Sequence, residues 1–426
     1  MNTIALLLLP IALSMPAFQI LATWAYLAVL RSAKSNPSVE TDLYQPKAAI
    51  LLSLRGPDPF LGDCVTALLN QAYPEYELQI IVDSATDPAW EIVQRAIAQS
   101  SSTVPVSVRP LEQRRSTCSL KCSALIEAVE ALDASVEVIA FVDADTLAHP
   151  QWLQQLVAPL GDDNVGITTG NRWYTPVGDQ LGTLNRYAWN AFAVIATYFS
   201  KLPWGGTMAL KADLLRQADP LKLWGNALCE DVPLRQVAID RQLEVRFVPS
   251  LLSVNREECD LPSFIRWSTR QLVLTRLYHP TWWFTLANGL WACSGPIANL
   301  SLAAIALLTH HRLAAGIFLL NFAIIFLGSI ILPLLVLEKG IQAAIATPSA
   351  PLPMMTRDRL PKLLISLAIS PFISLYTLLA AAWARSIQWR GITYEIQSNQ
   401  QAHMVEYRPY RSGHFANPNI LTQKSL

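Results

Sequence analysis

The stretch that decides the fold is "EVIAFVDADTLAHP", residues 137–150. Val138 to Val142 form a short unbroken apolar run. Such a run predicts a strand buried on both faces, the pattern of a parallel sheet. It stops abruptly at Asp143-Ala144-Asp145. Two carboxylates one residue apart at a strand end repel, and one tends to keep a proton unless a cation lies between them. Hard oxygen ligands suit Mg2+ or Mn2+, ions that also bind substrate phosphates. Asp143 and Asp145 are therefore read as a divalent-cation site, with Asp143 facing a diphosphate. The alternative for the same residues is a turn carrying solvated acids.

Around this segment, strand and helix patterns alternate. "AAILLSL" (48–54), "LQIIVD" (78–83), "VPVSVRP" (104–110) and "VGITTG" (165–170) read as further strands. "DPFLGDCVTALLNQ" and "SLKCSALIEAVEAL" between them have helical periodicity. The alternation predicts an α/β domain with a mostly parallel sheet over residues 45–262, and its ligand crevice at the carboxyl ends of the strands.

Other acids fall at matching places. Asp83 and Asp87 follow the 78–83 strand and could accept hydrogen bonds from a nucleotide base or ribose. Asp87 also precedes Pro88, which equally suits a helix N-cap. In "ALCEDVPLRQVA", Glu230 and Asp231 open a helix. Asp231 there suits a general base for an acceptor hydroxyl, or simply an acid at a helix N-terminus. In "FIRWSTRQ", Arg266 could clamp a pyrophosphate and Trp267 could stack on a ring. The alternative is an interfacial Trp beside a snorkelling Arg.

The bulk composition places this domain beside a membrane. Of 426 residues, 52% are apolar and 15% charged, against about 25% charged in soluble domains. Residues 4–30 carry no charge, long enough to span a bilayer, and Arg31 and Lys34 follow at once. The positive-inside rule then places the next segment in the cytosol. Residues 282–308, 313–337 and 363–383 are three more apolar candidates. Four full crossings would put the C-terminus opposite the catalytic domain, whereas Arg385, Arg390, Arg408 and Arg411 argue for a cytosolic tail. The expectation is a cytosolic tail, with one C-terminal segment not crossing fully. The division expected is an anchor over 1–35, the α/β domain over 45–262, an interfacial Arg-Trp segment over 263–281, membrane helices over 282–384 and the tail over 385–426. The 32 basic and 32 acidic residues balance, which gives no sign of a nucleic-acid partner. Six scattered cysteines without a CxxC pair read as reduced thiols.

These motifs together resemble the membrane-bound family 2 glycosyltransferases, within them the ceramide glucosyltransferase-like group. "LRGPDPFLGDCVTALLNQAYPEYELQIIVDSATDPAW" resembles that group's opening, and its first aspartate falls on Asp87. The second falls on Asp143, with Asp145 completing the DxD, and the third on Asp231. Lys121 in "SLKCSAL" matches the family's lysine after the third strand. "WGGTMALKADLL" (204–215) resembles its Gly-rich acceptor-side loop, which with Glu230 implies Gly205, Gly206 and Thr207 on the acceptor side. "WRGITY" (389–394) resembles a tail motif of related membrane transferases. Two departures stand out. Ser263 occupies the first position of the Gln/Arg-x-x-Arg-Trp signature, and a histidine that precedes the loop in the ceramide enzymes has no counterpart. The resemblance implies a GT-A fold and inverting transfer from a nucleotide sugar, expected to be a UDP-sugar. Its implied donor-side residues are Asp83, Asp87, Lys121, Asp143, Arg266 and Trp267. A divalent cation, a lipid acceptor and the bilayer complete the expected partners. The rivals are a processive polysaccharide synthase, a polyprenyl-phosphate sugar transferase and a non-catalytic membrane scaffold.

Overall fold

A computed structural model describes residues 1–35, 44–345, 359–397 and 401–410. Of the expected tail, residues 398–400, Arg411 and those after it lie outside them. The chain divides into two units. One gathers the described residues of Met1–Pro37, Trp173–Tyr198 and Arg256–Trp383; the other gathers those of Ser38–Arg172, Phe199–Asn255 and Ala384–Leu426.

The second unit is built on a sheet. Its strands are β1 (Ala48–Leu54), β2 (Tyr76–Val82), β3 (Val106–Pro110), β4 (Val138–Val142), β5 (Val165–Tyr174), β6 (Thr207–Lys211) and β7 (Glu244–Asn255), in the spatial order β3-β2-β1-β4-β6-β5-β7. β3, β2, β1 and β4 are mutually parallel. Every residue of β4 is buried, as its unbroken apolar run requires. After β3 the chain crosses back to the other side of β1 to form β4. That reversal makes the β1/β4 boundary the switch point of the sheet, where a crevice opens beyond the carboxyl ends. Arg55-Gly56 and Asp143 stand there.

Two features go beyond the simple alternation read from the sequence. β5 does not stop at Gly170 but continues to Tyr174. β6, read as part of a loop, is a strand that pairs antiparallel to both β4 and β5. It enters from the sheet's opposite end, and this reverses its direction and carries the Gly205-Gly206 turn up against Asp143. The core fills the space between the sheet and its helices with residues such as Leu52, Val65, Leu78, Ala140, Trp152 and Leu156. The described residues after 384 also belong to this unit. They form a small antiparallel sheet of β8 (Ser386–Trp389), β9 (Ile392–Ile396) and β10 (Ala402–Glu406). Tyr394 accepts a hydrogen bond at its hydroxyl from the Leu120 N–H, and the Met404 N–H donates to the Ser116 carbonyl at 2.6 Å.

The other unit is helical. Four of its helical stretches are long and apolar enough to cross a membrane: Asn2–Arg31, Trp282–Leu308, Arg312–Ala344 and Leu360–Trp383. Their outward faces carry Leu7, Leu21, Trp283, Leu308, Leu320 and Trp383, which lipid accommodates and water does not. The expected 263–281 segment is a helix, Leu261–Tyr278. Asp260 caps it through the Ser263 N–H, and Pro262 sits in its first turn, where a missing N–H costs nothing.

Candidate active site

Three chain segments meet beyond the end of β4. The first is Asp143-Ala144-Asp145 itself. The Thr146 N–H turns back to the Asp143 carbonyl at 3.0 Å, and the Thr146 hydroxyl donates to the Gly206 carbonyl at 3.0 Å. The second is the start of the helix Leu120–Glu130, capped by Ser119, which aims Lys121 at the acids. The third is the start of the helix Asp231–Asp240, preceded by Glu230.

Lys121 Nζ lies 2.7 Å from Asp143 Oδ1 and 2.6 Å from Glu230 Oε1. Arg172, on the part of β5 beyond Gly170, bridges both acids of the DxD. Its guanidinium is 2.9 Å from Asp143 Oδ2 and 3.2 Å from Asp145 Oδ2. It also stacks on Trp204, 4.5 Å from the ring centroid. Asn255 Nδ2 donates to Asp145 Oδ2 at 2.8 Å. Asp231 is held by two backbone donors: Gly205 N–H to Oδ2 at 3.0 Å and Val232 N–H to Oδ1 at 2.8 Å.

The loop glycines are required by close approach. A Cβ on Gly205 would lie 1.8 Å from Glu230 Oε1, and one on Gly206 would lie 2.1 Å from the Trp204 ring and 2.8 Å from Asp143 Oδ2. Thr207 is fully buried beneath the loop, its hydroxyl bonded to the Gly206 carbonyl.

The charges are unevenly matched, and the titration of the groups follows. Burial favours the neutral carboxyl of Asp143, but its side chain is 29% exposed, and Lys121 and Arg172 outweigh that effect, lowering it to about 2. Burial also opposes the Lys121 ammonium, and Asp143 and Glu230 on either side overcome it, so its pKa rises. Glu230 goes the other way. It is 4% exposed, and burial lifts its carboxyl to about 7. The pull of Lys121 is shared with Asp143, and the nearby charges of Asp231 and Asp143 push Glu230 further up.

The structure therefore brings together Lys121, Asp143, Asp145, Gly205, Gly206, Thr207, Glu230 and Asp231. It adds Arg172, Trp204 and Asn255, which the sequence reading did not single out. The remaining residues stand elsewhere. Asp83 and Asp87 form a corner at the ends of β1 and β2. Asp87 accepts from Ala89 N–H at 2.9 Å as the N-cap of the helix Pro88–Gln99, and from Gly56 N–H at 3.0 Å. Asp83 is ion-paired to Arg55 and accepts from the Tyr407 hydroxyl. Arg266 and Trp267 belong to the helical unit. There Arg266 is exposed and donates to the Ser263 hydroxyl at 2.9 Å, while Trp267 meets the rings of Tyr174, Trp189 and Phe264. Ser263 thus occupies the signature's first position as a partner of the signature's arginine.

A divalent ion fits the acid pair. Asp143 and Asp145 already converge on one positive group, the Arg172 guanidinium. Among the described residues no cluster of three or more His, Cys, Asp or Glu gathers as a metal site. Mg2+ and similar ions are commonly held by one or two carboxylates, with substrate phosphates completing the shell.

Comparison with known proteins bears on this geometry. A family model for glycosyl transferase family 21 matches residues 7–402. No curated protein matches the chain in sequence. Among solved structures, a mannosyltransferase from Pyrobaculum calidifontis, in complex with GDP-Man and Mn2+, superimposes with a TM-score of 0.51 at 15% identity, over 88% of this chain and 99% of its own. Glucosyl-3-phosphoglycerate synthase from Mycobacterium tuberculosis, with Mn2+ and UDP-glucose, aligns over 58% of this chain and 81% of its own, at 13% identity and a TM-score of 0.35. At this identity the likeness to the Pyrobaculum calidifontis enzyme speaks to the fold alone, which is GT-A-like.

Proposed function

The chain belongs to glycosyltransferase family 21, the ceramide glucosyltransferase family, and on that premise we propose that it moves one sugar from a UDP-sugar to the hydroxyl of a membrane lipid, with inversion at the anomeric carbon. The observation that carries this reading is the placement of Asp231. Its carboxylate is held open by two backbone N–H groups, beside the Gly205-Gly206 turn and across from the acid pair at the end of β4.

In this reading Asp231 accepts the proton of the acceptor hydroxyl as that oxygen attacks the anomeric carbon. The bond from that carbon to the diphosphate breaks in the same displacement, and the negative charge gathers on the departing nucleoside diphosphate. Lys121 and Arg172 stand where they offset that charge. Asp143 and Asp145 would hold a divalent ion, which supplies further positive charge toward the same phosphates. Glu230 keeps Lys121 in place, and Gly205 and Gly206 let the acceptor-side loop pack closely against Glu230 and Asp143. The apolar helices keep the transferase domain at the bilayer, where a lipid hydroxyl is concentrated. The family lysine and three aspartate motifs support the donor assignment, and the family's membership supports the lipid acceptor. The domain is taken to face the cytosol, on the basic residues that follow the first apolar helix.

The test is a substrate panel. Detergent-purified protein is incubated with UDP- and GDP-sugars, Mg2+ or Mn2+, and ceramide, diacylglycerol, sterol and polyprenyl-phosphate lipids, and the products are read by mass spectrometry. One lipid carrying a single sugar is expected, with turnover abolished by EDTA. Asp231→Asn should lower turnover by roughly 100- to 10,000-fold while nucleotide binding stays within a few-fold. Long polymer would instead establish a processive synthase, and turnover unchanged by EDTA would remove the metal from the proposal.

A further inference from the structure

A second polar cluster lies at the ends of β1 and β2, beside the switch point and within the sheet unit. We propose that Tyr407 is a built-in occupant of the subsite for the donor's nucleobase, and that nucleotide and Tyr407 compete for it. The inference rests on the nucleotide-sugar reading above and adds a residue that controls access to the donor site.

The Asp83 side chain is 1% exposed. Its Oδ2 pairs with Arg55 and accepts a hydrogen bond from the Tyr407 hydroxyl at 3.2 Å. Its Oδ1 is buried and accepts no hydrogen bond among the described residues. Arg114 Nε stands 3.6 Å from it, an ion pair beyond hydrogen-bond range. A buried carboxylate oxygen without a donor is costly unless a ligand supplies one. An imide or amidine N–H on the edge of a nucleobase is such a donor.

Tyr407 already makes the contacts a base would make. Its ring lies 4.6 Å from the Arg114 guanidinium and 5.6 Å from that of Arg55, measured to the ring centroid. A flat aromatic ring stacked on guanidinium groups, with a donor at its edge meeting Asp83, reproduces base recognition in outline. Both ligands draw on the same carboxylate and the same two cations, so they exclude one another.

Beyond β10, residues 407–410 are fastened by contacts that can let go. The Arg408 carbonyl accepts from Arg55 Nη2 at 2.6 Å, and the Arg390 carbonyl accepts from Arg55 Nε at 3.0 Å. Tyr410 packs on the bare face of Gly56, where a Cβ would lie 2.6 Å from its ring and where φ is +77°. Tyr407 and Tyr410 are only half-buried, and Arg408 is exposed. Arg55 links this segment to the corner at the ends of β1 and β2, so a nucleotide that takes Arg55 and Asp83 loosens both fastenings at once.

Competition lowers the apparent nucleotide affinity by the fraction of molecules in which the corner is open. The experiment titrates UDP, and separately GDP, into the full-length protein in detergent by calorimetry, using wild type, Tyr407→Ala and Tyr407→Phe. Hydrogen exchange of peptides covering 402–410 is followed alongside. Tyr407→Ala is expected to bind UDP about tenfold tighter than wild type, with Tyr407→Phe between them. UDP is expected to speed exchange in 402–410 of the wild type. Weaker or unchanged binding by Tyr407→Ala, with its melting temperature preserved, would overturn the proposal, because the ring would then be part of the platform or irrelevant to it. Absence of UDP and GDP binding to every form would overturn the nucleotide-donor reading itself, and this inference with it.

Discussion

Replacing Arg172 by methionine keeps a long apolar stem over Trp204 and removes the positive charge that joins Asp143 to Asp145. In the wild type a divalent ion at this acid pair must displace two ion contacts, at 2.9 Å and 3.2 Å. The arginine side chain is 16% exposed and the two acids 29% and 22%, so solvent screens the pairs only in part. Exposed pairs are worth about 0.2–1 kcal/mol each, and these partly sheltered ones fall near the top of that range. Displacing both therefore costs about 2 kcal/mol, or roughly thirtyfold in affinity. Lys121 holds Asp143 Oδ1 in both forms, so that pair cancels from the difference. The expected outcome is that Arg172→Met binds Mn2+ roughly thirtyfold tighter than wild type in the absence of nucleotide. Counting free Mn2+ by electron paramagnetic resonance measures this directly. Without metal the variant should also melt earlier, because two carboxylates face each other with one cation fewer, and Mn2+ should restore the loss. Equal or weaker Mn2+ binding would refute the reasoning, because Arg172 would then not be competing for the acids.

Two further outcomes follow from the same site. Burial moves Glu230 from the ordinary 4.5 to about 7, so its contribution to stability is full below the unfolded value and is lost as pH rises through the folded one. Glu230→Gln does not titrate there, so its melting temperature should gain on wild type between about pH 5 and about pH 8; a gap that does not change with pH would contradict the shift. Gly205→Ala forces a methyl group to within 1.8 Å of Glu230 Oε1, so the loop or the Lys121–Glu230 pair must move. Turnover should fall at least tenfold while the melting temperature changes little, and near-normal turnover would show that the loop is not held against the acceptor side.

What could be read from the sequence was what the chain encodes locally. The run Val138–Val142 and the acids after it lie in one segment, so strand, strand end and charge are legible together. Asp231 at a helix start, and Asp87 before Pro88, are equally local; for Asp87 the structure shows the capping role that its sequence also suggested. Arg172 was not legible. An arginine on a strand carries no signal of its own, and it reaches Asp143 because β6 is inserted between β4 and β5. β6 itself was hidden because Gly-Gly-Thr-Met-Ala reads as a turn followed by a short apolar piece. Tyr407 was missed for the same reason. Its partners Arg55, Asp83 and Arg114 lie some 290 to 350 positions earlier in the chain, and charge counting gave the tail only a side of the membrane.

The strands β8–β10 are hydrogen-bonded into the same folded body as the seven-stranded sheet. A body of that kind occupies a single aqueous compartment. The polypeptide leaves it after Asn255 and re-enters it at Ala384, and among the described residues three long apolar helices lie in between. If those helices sit in a bilayer, the excursion must end on the face where it began, and an odd number of passages cannot do that. One of the three then has to dip in and return, or rest along the surface, and a glycosylation tag in each connecting loop would report which one breaks the parity.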